Sequence, residues 1–221
     1  MKALSLALIF FTTIIKAQNI FLTEVKTTHA NRDKFLYAAE QTELSQAVYL
    51  GKIEVSGYSA EDEVIFNEIY KKAKLIGANA YYISGAEGIE GPKKFTPSHY
   101  FLHLYYASSN TFPKEDNWVY FINSGKDKTI RINQEKVTLP YRSYIKYNLN
   151  LKNQTEVAVG NFLGSRMKLQ PKDGQSEQYF QLSGNKISTN HSDPGIKFKT
   201  GDFIRLEKSY AQFLIKIYQK N

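Results

Sequence analysis

The 221-residue sequence contains no cysteine. That absence removes disulfides, thiolate nucleophiles, iron–sulfur clusters and cysteine-type zinc sites together, so stability has to come from packed cores. It also bears on compartment. Small domains secreted into disulfide-forming spaces generally use cysteines, and a cysteine-free exported chain fits a bacterial envelope better than an animal extracellular space. Catalytic signatures are missing as well: there is no Gly-x-Ser-x-Gly elbow, no His-Glu-x-x-His and no glycine-rich phosphate loop. No cofactor is expected.

Long apolar runs are absent too. The longest, Ala3 to Ile15, has thirteen residues, whereas a bilayer-spanning helix needs roughly 20. Lys2 precedes this run, and Ala17 stands before Gln18, the three-part layout of a secretory signal peptide. The expectation is cleavage after Ala17 and a periplasmic or extracellular mature protein without a transmembrane span. With no cysteine at the boundary, a lipoprotein anchor has no attachment chemistry.

Charge then divides what remains. The formal net charge is +8. Residues 18–111 carry nine Lys and Arg against eleven Asp and Glu, while residues 112–221 carry eighteen against ten. The basicity belongs to the second half. The polar stretch Ser108-Ser109-Asn110-Thr111-Phe112-Pro113 reads as the junction, giving a signal peptide over 1–17, a first domain over 18–108, a linker over 109–114 and a second domain over 115–221.

In the first half, Ile65, Ile69, Ala73 and Ile76 recur at helical spacing with Phe66 beside them, which predicts an amphipathic helix from Ala60 to Ile76. Ser59 is a candidate cap, acids occupy the first turn, lysines the last, and Gly77 follows as a stop. Glu68 and Lys72 form an i,i+4 pair on its exposed face. Strand-like runs lie at Val48–Val55, Ala80–Ser84 and Tyr100–Tyr106. The order predicts an α+β fold, a βαββ open sheet followed by an all-β antiparallel sandwich or barrel. The segments Tyr49-Leu50-Gly51-Lys52-Ile53-Glu54-Val55 and Lys72-Ala73-Lys74-Leu75-Ile76-Gly77-Ala78-Asn79-Ala80 resemble the small modules of the YbjQ-like and RcsF-like bacterial envelope proteins. That resemblance spans Ala47 to Tyr106 and implies the fold of this part and an envelope setting. RcsF-like members are lipidated and disulfide-bonded, and neither feature carries over.

His99-x-x-x-His103 is the one metal-like spacing. The apolar and aromatic residues between and after these histidines predict a strand, along which four residues span about 13 Å, too far for one ion. No metal site is expected.

The second half is punctuated by turn signals such as Asn123-Ser124-Gly125, Asn133-Gln134, Asp173-Gly174 and Asp193-Pro194-Gly195. Its run from Thr129 to Asn148 loosely resembles a hairpin of the DUF2846-like secreted β-domains. Basic residues alternate with apolar ones, as in Ile130-Arg131-Ile132, Ile145-Lys146-Tyr147 and Ile215-Lys216-Ile217. On strands this turns charge outward. The residues expected to contact an anionic partner are Arg131, Lys146, Lys168, Lys197, Lys199, Arg205 and Lys216. Anionic lipid, lipopolysaccharide and acidic glycan are the candidate partners, against the plainer alternative of a solubilising surface. Tyr141, Tyr144 and Tyr147 could stack on sugars, but their spacing does not put all three on one strand face. With four arginines in this half and export from the cytoplasm, nucleic acid is not an expected partner. The sequence therefore points to a non-catalytic binding or assembly module. The alternative is a carbohydrate-active hydrolase using a carboxylate pair, with Glu156, Asp173, Glu177 and Glu207 as the available acids.

Intact mass of exported material should correspond to a chain beginning at Gln18, and a mass that includes Met1 would overturn the signal-peptide assignment.

Overall fold

The computed structural model describes residues 19–57, 61–88, 91–92, 95–108, 112–160, 164–183, 186–190, 193–199 and 201–221, with side chains for all of these except 87–88, 91–92, 186–190 and 193–199. The expected signal segment, Met1–Ala17, lies outside the described residues. Among the described residues the chain is β-rich, with several sheets and two helices. Neither helix is long and apolar enough to cross a membrane.

In chain order the first half holds β1 (Asn19–Val25), β2 (Tyr37–Ala38), a single 3-10 turn (Gln41–Leu44), β3 (Val48–Ser56), α1 (Asp62–Leu75), β4 (Ala80–Gly85), the short pair β5 (Glu87–Gly88) and β6 (Gly91–Pro92), and β7 (His99–Tyr106). Five of these strands form one sheet in the order β1-β3-β7-β4-β2. Along β7 the period of two is plain: Tyr100, Leu102 and Leu104 are buried, while His99, Phe101 and His103 face the other way. Helix α1 covers the buried side with Ile65, Phe66, Ile69 and Ala73.

The helix is shorter than its apolar spacing suggests. It starts at Asp62, and its cap residue Glu61 makes no side-chain capping bond; Ser59 and Ala60 lie outside the described residues. Glu68 pairs with Lys71 at 2.7 Å rather than with Lys72. At the other end, the amide of Ala78 reaches the carbonyl of Ala73 at 3.0 Å and that of Gly77 reaches Lys74 at 3.1 Å, the paired bonds of a Schellman stop. Gly77 sits at φ +83, and a Cβ there would meet the carbonyl oxygen of His29 at 1.8 Å. No other residue fits.

The second half contains β8 (Trp118–Asn123), β9 (Lys128–Ile132), β10 (Glu135–Leu139), β11 (Ser143–Asn148), β12 (Thr155–Val159), β13 (Arg166–Leu169), β14 (Gln178–Ser183), β15 (Lys186–Asn190), β16 (Asp193–Lys199), β17 (Asp202–Arg205), α2 (Lys208–Ile217) and β18 (Gln219–Lys220). A four-stranded sheet, β10-β9-β12-β13, faces a five-stranded one, β17-β14-β8-β11-β18. Val119 and Phe121 of β8 meet Ile130, Ile132, Val157 and Val159 in a shared core. Strands β15 and β16 form a separate hairpin.

Two features depart from an all-β antiparallel reading of this half. The five-stranded sheet contains two parallel pairs, β8 with β14 and β11 with β18. The segment containing Ile215-Lys216-Ile217 is a helix, not an alternating strand. Its true apolar period is Tyr210, Phe213, Leu214 and Ile217, a one-sided helical stripe, and the Glu207 carboxylate caps it by accepting from the Tyr210 amide at 3.1 Å.

Helix α2 returns the end of the chain to the first half. Its Ser209 hydroxyl accepts from the Leu36 amide at 3.0 Å, and its Gln212 side chain accepts from the Ala38 amide at 3.2 Å. Phe213 lies 5.4 Å from Phe66 of α1, ring to ring. One buried cluster consequently runs from Leu102 and Tyr81 through both helices to Tyr120, Ile122 and Tyr179 of the five-stranded sheet. At the junction expected over 109–114, residues 109–111 lie outside the described residues, and Phe112 stacks on Tyr37 at 4.4 Å.

The seam is closed by a buried charge. Asp62, 6% exposed, accepts from the Arg142 guanidinium at 2.8 Å and from the Tyr218 hydroxyl at 2.5 Å. Arg142 sits at φ 52 in the turn before β11, and its guanidinium carbon lies 4.8 Å from the Tyr218 ring centroid. Burial alone would lower the Arg142 pKa, but the Asp62 carboxylate outweighs it and holds the guanidinium further toward its charged form.

Removing one partner of such a pair leaves the other charge buried, so Arg142→Ala should cost about 3–5 kcal/mol. Denaturant unfolding should also be a single transition, seen together by Trp118 fluorescence and by hydrogen exchange in β3 and β7. A cost below about 1 kcal/mol, in the range of an exposed pair, or two separate transitions would overturn the shared seam. Alkaline titration provides a second test. Burial raises the pKa of Tyr81, Tyr100, Tyr179 and Tyr218. These groups stay protonated in the folded state at pH values where unfolded tyrosines, with pKa about 10, release their protons. Their stabilisation is complete below about pH 10 and falls as pH rises beyond it; a denaturation midpoint that stayed flat through this range would contradict the burial.

Candidate functional site

Among the described residues a row of cations lies on the four-stranded sheet. Lys136 is opposite Arg131, Arg131 is opposite Ala158, and Ala158 is opposite Arg166, a row crossing β10, β9, β12 and β13. Two positions along, Glu156 is opposite Lys168. Residues two apart share a face. All six therefore lie on the side away from Ile130, Ile132, Val157 and Val159, which are buried in the core.

The alanine matters because of its size. A methyl group between two arginines leaves a hollow of about 520 Å³, rimmed by Arg131, Asn133, Gln134, Glu156 and Arg166. The Cα atoms of Arg131 and Arg166 are two strand spacings apart, roughly 10 Å, so their forks can both reach one phosphate, sulfate or carboxylate group over that floor. Register is pinned by the β9–β10 hairpin. Asn133 and Gln134 both have positive φ, 48 and 78, as a two-residue type I′ turn requires. The Asn133 side chain also accepts from the Glu156 amide at 3.0 Å, tying the hairpin to β12.

Little on this face neutralises the cations. Glu156 and Arg166 approach to 3.7 Å with side chains 48% and 73% exposed, a contact worth at most about 1 kcal/mol. Arg131, Lys136 and Lys168 have no ion-pair partner among the described residues.

Of the residues expected to bind an anion, Arg131 and Lys168 are here, and the structure adds Lys136 and Arg166. The others are elsewhere. Arg205 is exposed on β17, at the edge of the five-stranded sheet. Lys146, on β11, bonds Glu115 at 2.6 Å and lies 4.2 Å from the Trp118 ring centroid. Burial acts to raise the Glu115 pKa, but hydrogen bonds from Lys146 and Tyr120 outweigh it and lower the carboxyl below its usual range. Lys216, on helix α2, pairs with Glu40. Lys197 and Lys199 belong to β16, where the backbone alone is described. The seven therefore do not form one face. Alternation shows which way a strand residue points relative to its neighbours, but not which sheet it joins or what covers that sheet.

The other candidates also separate. His99 contacts Glu54 at 2.8 Å, and His103 contacts Ser84 at 2.9 Å while stacking on Tyr82 at 4.4 Å. No group of three or more metal-type ligands occurs among the described residues. Glu156, Glu177 and Glu207 line three different cavities, and Asp173 stands in the turn before Gly174. Tyr144 packs against the seam cluster and Tyr147 against the sandwich core, while Tyr141 is exposed. No family model, no curated protein and no solved structure matches this chain.

Proposed function

We propose that the protein is an exported, non-catalytic binding or assembly module of a bacterial envelope that holds an anionic partner on the outer face of β10-β9-β12-β13. Its two parts, an N-terminal βαββ open sheet and a β-sandwich, belong to the same proposal, with the sandwich as the binding part. The observation that carries it is the row Lys136, Arg131, Ala158, Arg166, with Lys168 beside it and Glu156 as the only acid among them. Arginine forks recognise planar or tetrahedral oxyanions better than a point charge does. The hollow over Ala158 accommodates one such group with part of the sugar or headgroup that bears it. Phosphate or carboxylate on lipopolysaccharide, anionic lipid or acidic glycan provides this chemistry, and the cysteine-free sequence with its signal-like start supports the envelope setting.

The mature chain from Gln18 should bind vesicles of anionic lipid, lipopolysaccharide or an acidic glycan more tightly than neutral counterparts, and the affinity should fall as salt rises above about 0.1 M. Replacing Arg131 and Arg166 together by Gln should weaken binding about tenfold or more, or at least about 1.4 kcal/mol. The Arg205→Gln variant should bind within about twofold of the parent, a difference of under 0.5 kcal/mol. Equal binding to neutral and anionic surfaces, or an unaffected double variant, would show the face to be a solubilising surface.

A further inference from the structure

Helix α1 covers the side of the first sheet built on Tyr100, Leu102 and Leu104. On the other side the register across β1, β3, β7 and β4 sets Phe21, Glu54, Phe101 and Ser84 in one row and Glu24, Lys52, His103 and Tyr82 in the next. Tyr49 and Tyr105 begin a third. Glu54 stands on a strand flanked on both sides, yet its side chain is 30% exposed, and that of His99 beside it is 44% exposed. This part of the sheet is open to water. Toward β2, Tyr82 and Tyr105 pack against the small cluster of Tyr37, Ala39 and Leu44, which bounds the face there.

The water-facing side of an antiparallel sheet ordinarily carries polar side chains. Here rings take many of those places. His103 stacks on Tyr82 with centroids 4.4 Å apart, Tyr49 meets Tyr105 edge-on at 5.3 Å, and Phe101 lies 5.6 Å from His99. Along β7 the rings of His99, Phe101, His103 and Tyr105 follow one another at two-residue intervals, a row roughly 20 Å long. Phe21 extends the ring-bearing surface onto the edge strand and is 56% exposed.

Charge narrows what such a face can hold. Lys26 and Lys52 balance Glu24 and Glu54, and all four are engaged within the face. Tyr49 donates to Glu24 at 3.0 Å, Glu54 contacts His99 at 2.8 Å, and the Lys52 and Lys26 ammonium groups lie 5.0 and 5.9 Å from the ring centroids of Phe101 and Tyr49. With no net charge to offer, the face does not select a nucleic acid or an anionic lipid. A second protein sheet would seal Lys52 and Glu54 in the middle of a dry interface, where an imperfectly paired charge is costly. An uncharged sugar chain meets both demands. Its hydroxyls hydrogen-bond the polar groups, and its weakly positive C–H faces suit the negative faces of aromatic rings.

We propose that this open face binds an extended, neutral glycan chain laid along β7, with its C–H faces on Phe101, His103 and Tyr105 and its hydroxyls on Glu54, Lys52 and Ser84. The site lies in the other half of the chain from the cationic sheet face and takes uncharged ligands.

Cellohexaose and chitohexaose are suitable probes, with maltohexaose as the coiled counterpart. Titration of the mature chain followed by amide chemical shifts should show at least one extended hexaose binding with a Kd below about 1 mM and about fivefold or more tightly than maltohexaose, with the shifts on β3, β4 and β7. The affinity should change by less than about twofold between about 0.05 and 0.5 M salt, because no net charge is screened. Phe101→Ala should weaken binding about tenfold and Phe101→Trp should retain it. If Phe101→Ala fails to fold, Phe21→Ala at its exposed edge position should weaken binding severalfold and carries the test. The Arg131 and Arg166 double variant should bind the hexaose as the parent does, which keeps failure of this site distinct from failure of the cationic face. No saturable binding of either extended hexaose, equal binding of maltohexaose, shifts confined to the four-stranded sheet, or an unaffected folded Phe101→Ala variant would each overturn the assignment.

Discussion

Asp62 is a carboxylate almost withdrawn from water at the first turn of a helix, and the side chains that hydrogen-bond it come from the other half of the chain. Such a charge is tolerable only when it is matched in place, because desolvation costs several kcal/mol per ion. The start of α1 supplies part of the match through its dipole. Arg142 and Tyr218 supply the rest, and both are held by backbone that exists only in the folded second half: Arg142 by a left-handed turn, Tyr218 by the end of α2. The strand after that helix pairs with β11, opposite Ser143 and Tyr144, so the Arg142 turn and the chain terminus are fixed to each other. The seam thus sets the relative position of the two sheet systems.

How much of this was readable in the sequence depends on where the deciding contacts lie. Helix α1 was legible because its determinants are local: an apolar stripe, acids at the start, lysines at the end and a glycine whose φ and crowding permit no side chain. Helix α2 is ten residues long and contains an apolar-basic-apolar triplet that mimics a strand. A signal was present nonetheless, in the spacing of Tyr210, Phe213, Leu214 and Ile217 and in Glu207 three residues before the first of them. What no local pattern shows is the surface this stripe covers, because Leu36 and Ala38 lie more than 170 positions earlier.

The basic residues teach a related lesson. Alternation assigned Arg131 and Lys168 to an outer face, and on that side of the four-stranded sheet Lys136, Glu156, Arg166 and Lys168 are exposed. For Lys146 the same reasoning failed because β11 belongs to a sheet covered on both sides, by the sandwich core and by the seam. The sequence held a clue in the neighbouring strand. Val119 to Asn123 of β8 are buried without alternation, and an unbroken apolar run is the mark of a strand enclosed on both faces. Residues paired beside such a strand face protein on either side, so a lysine there needs a carboxylate, and Lys146 has Glu115.

This separation explains why the basic half does not present one uniformly cationic surface. Lys146, Lys208 and Lys216 belong to the basic half, yet each is matched at the seam to a glutamate. Their positive charge is matched locally by those glutamates. The cations of the four-stranded sheet have only Glu156 among them, on the far side of the sandwich core from the seam. Charges separated by more than the screening length of about 8 Å in physiological salt interact weakly. The cationic face and the charge-matched seam can therefore differ in potential despite an overall charge of +8, and the net charge of the half as a whole predicts the behaviour of neither surface.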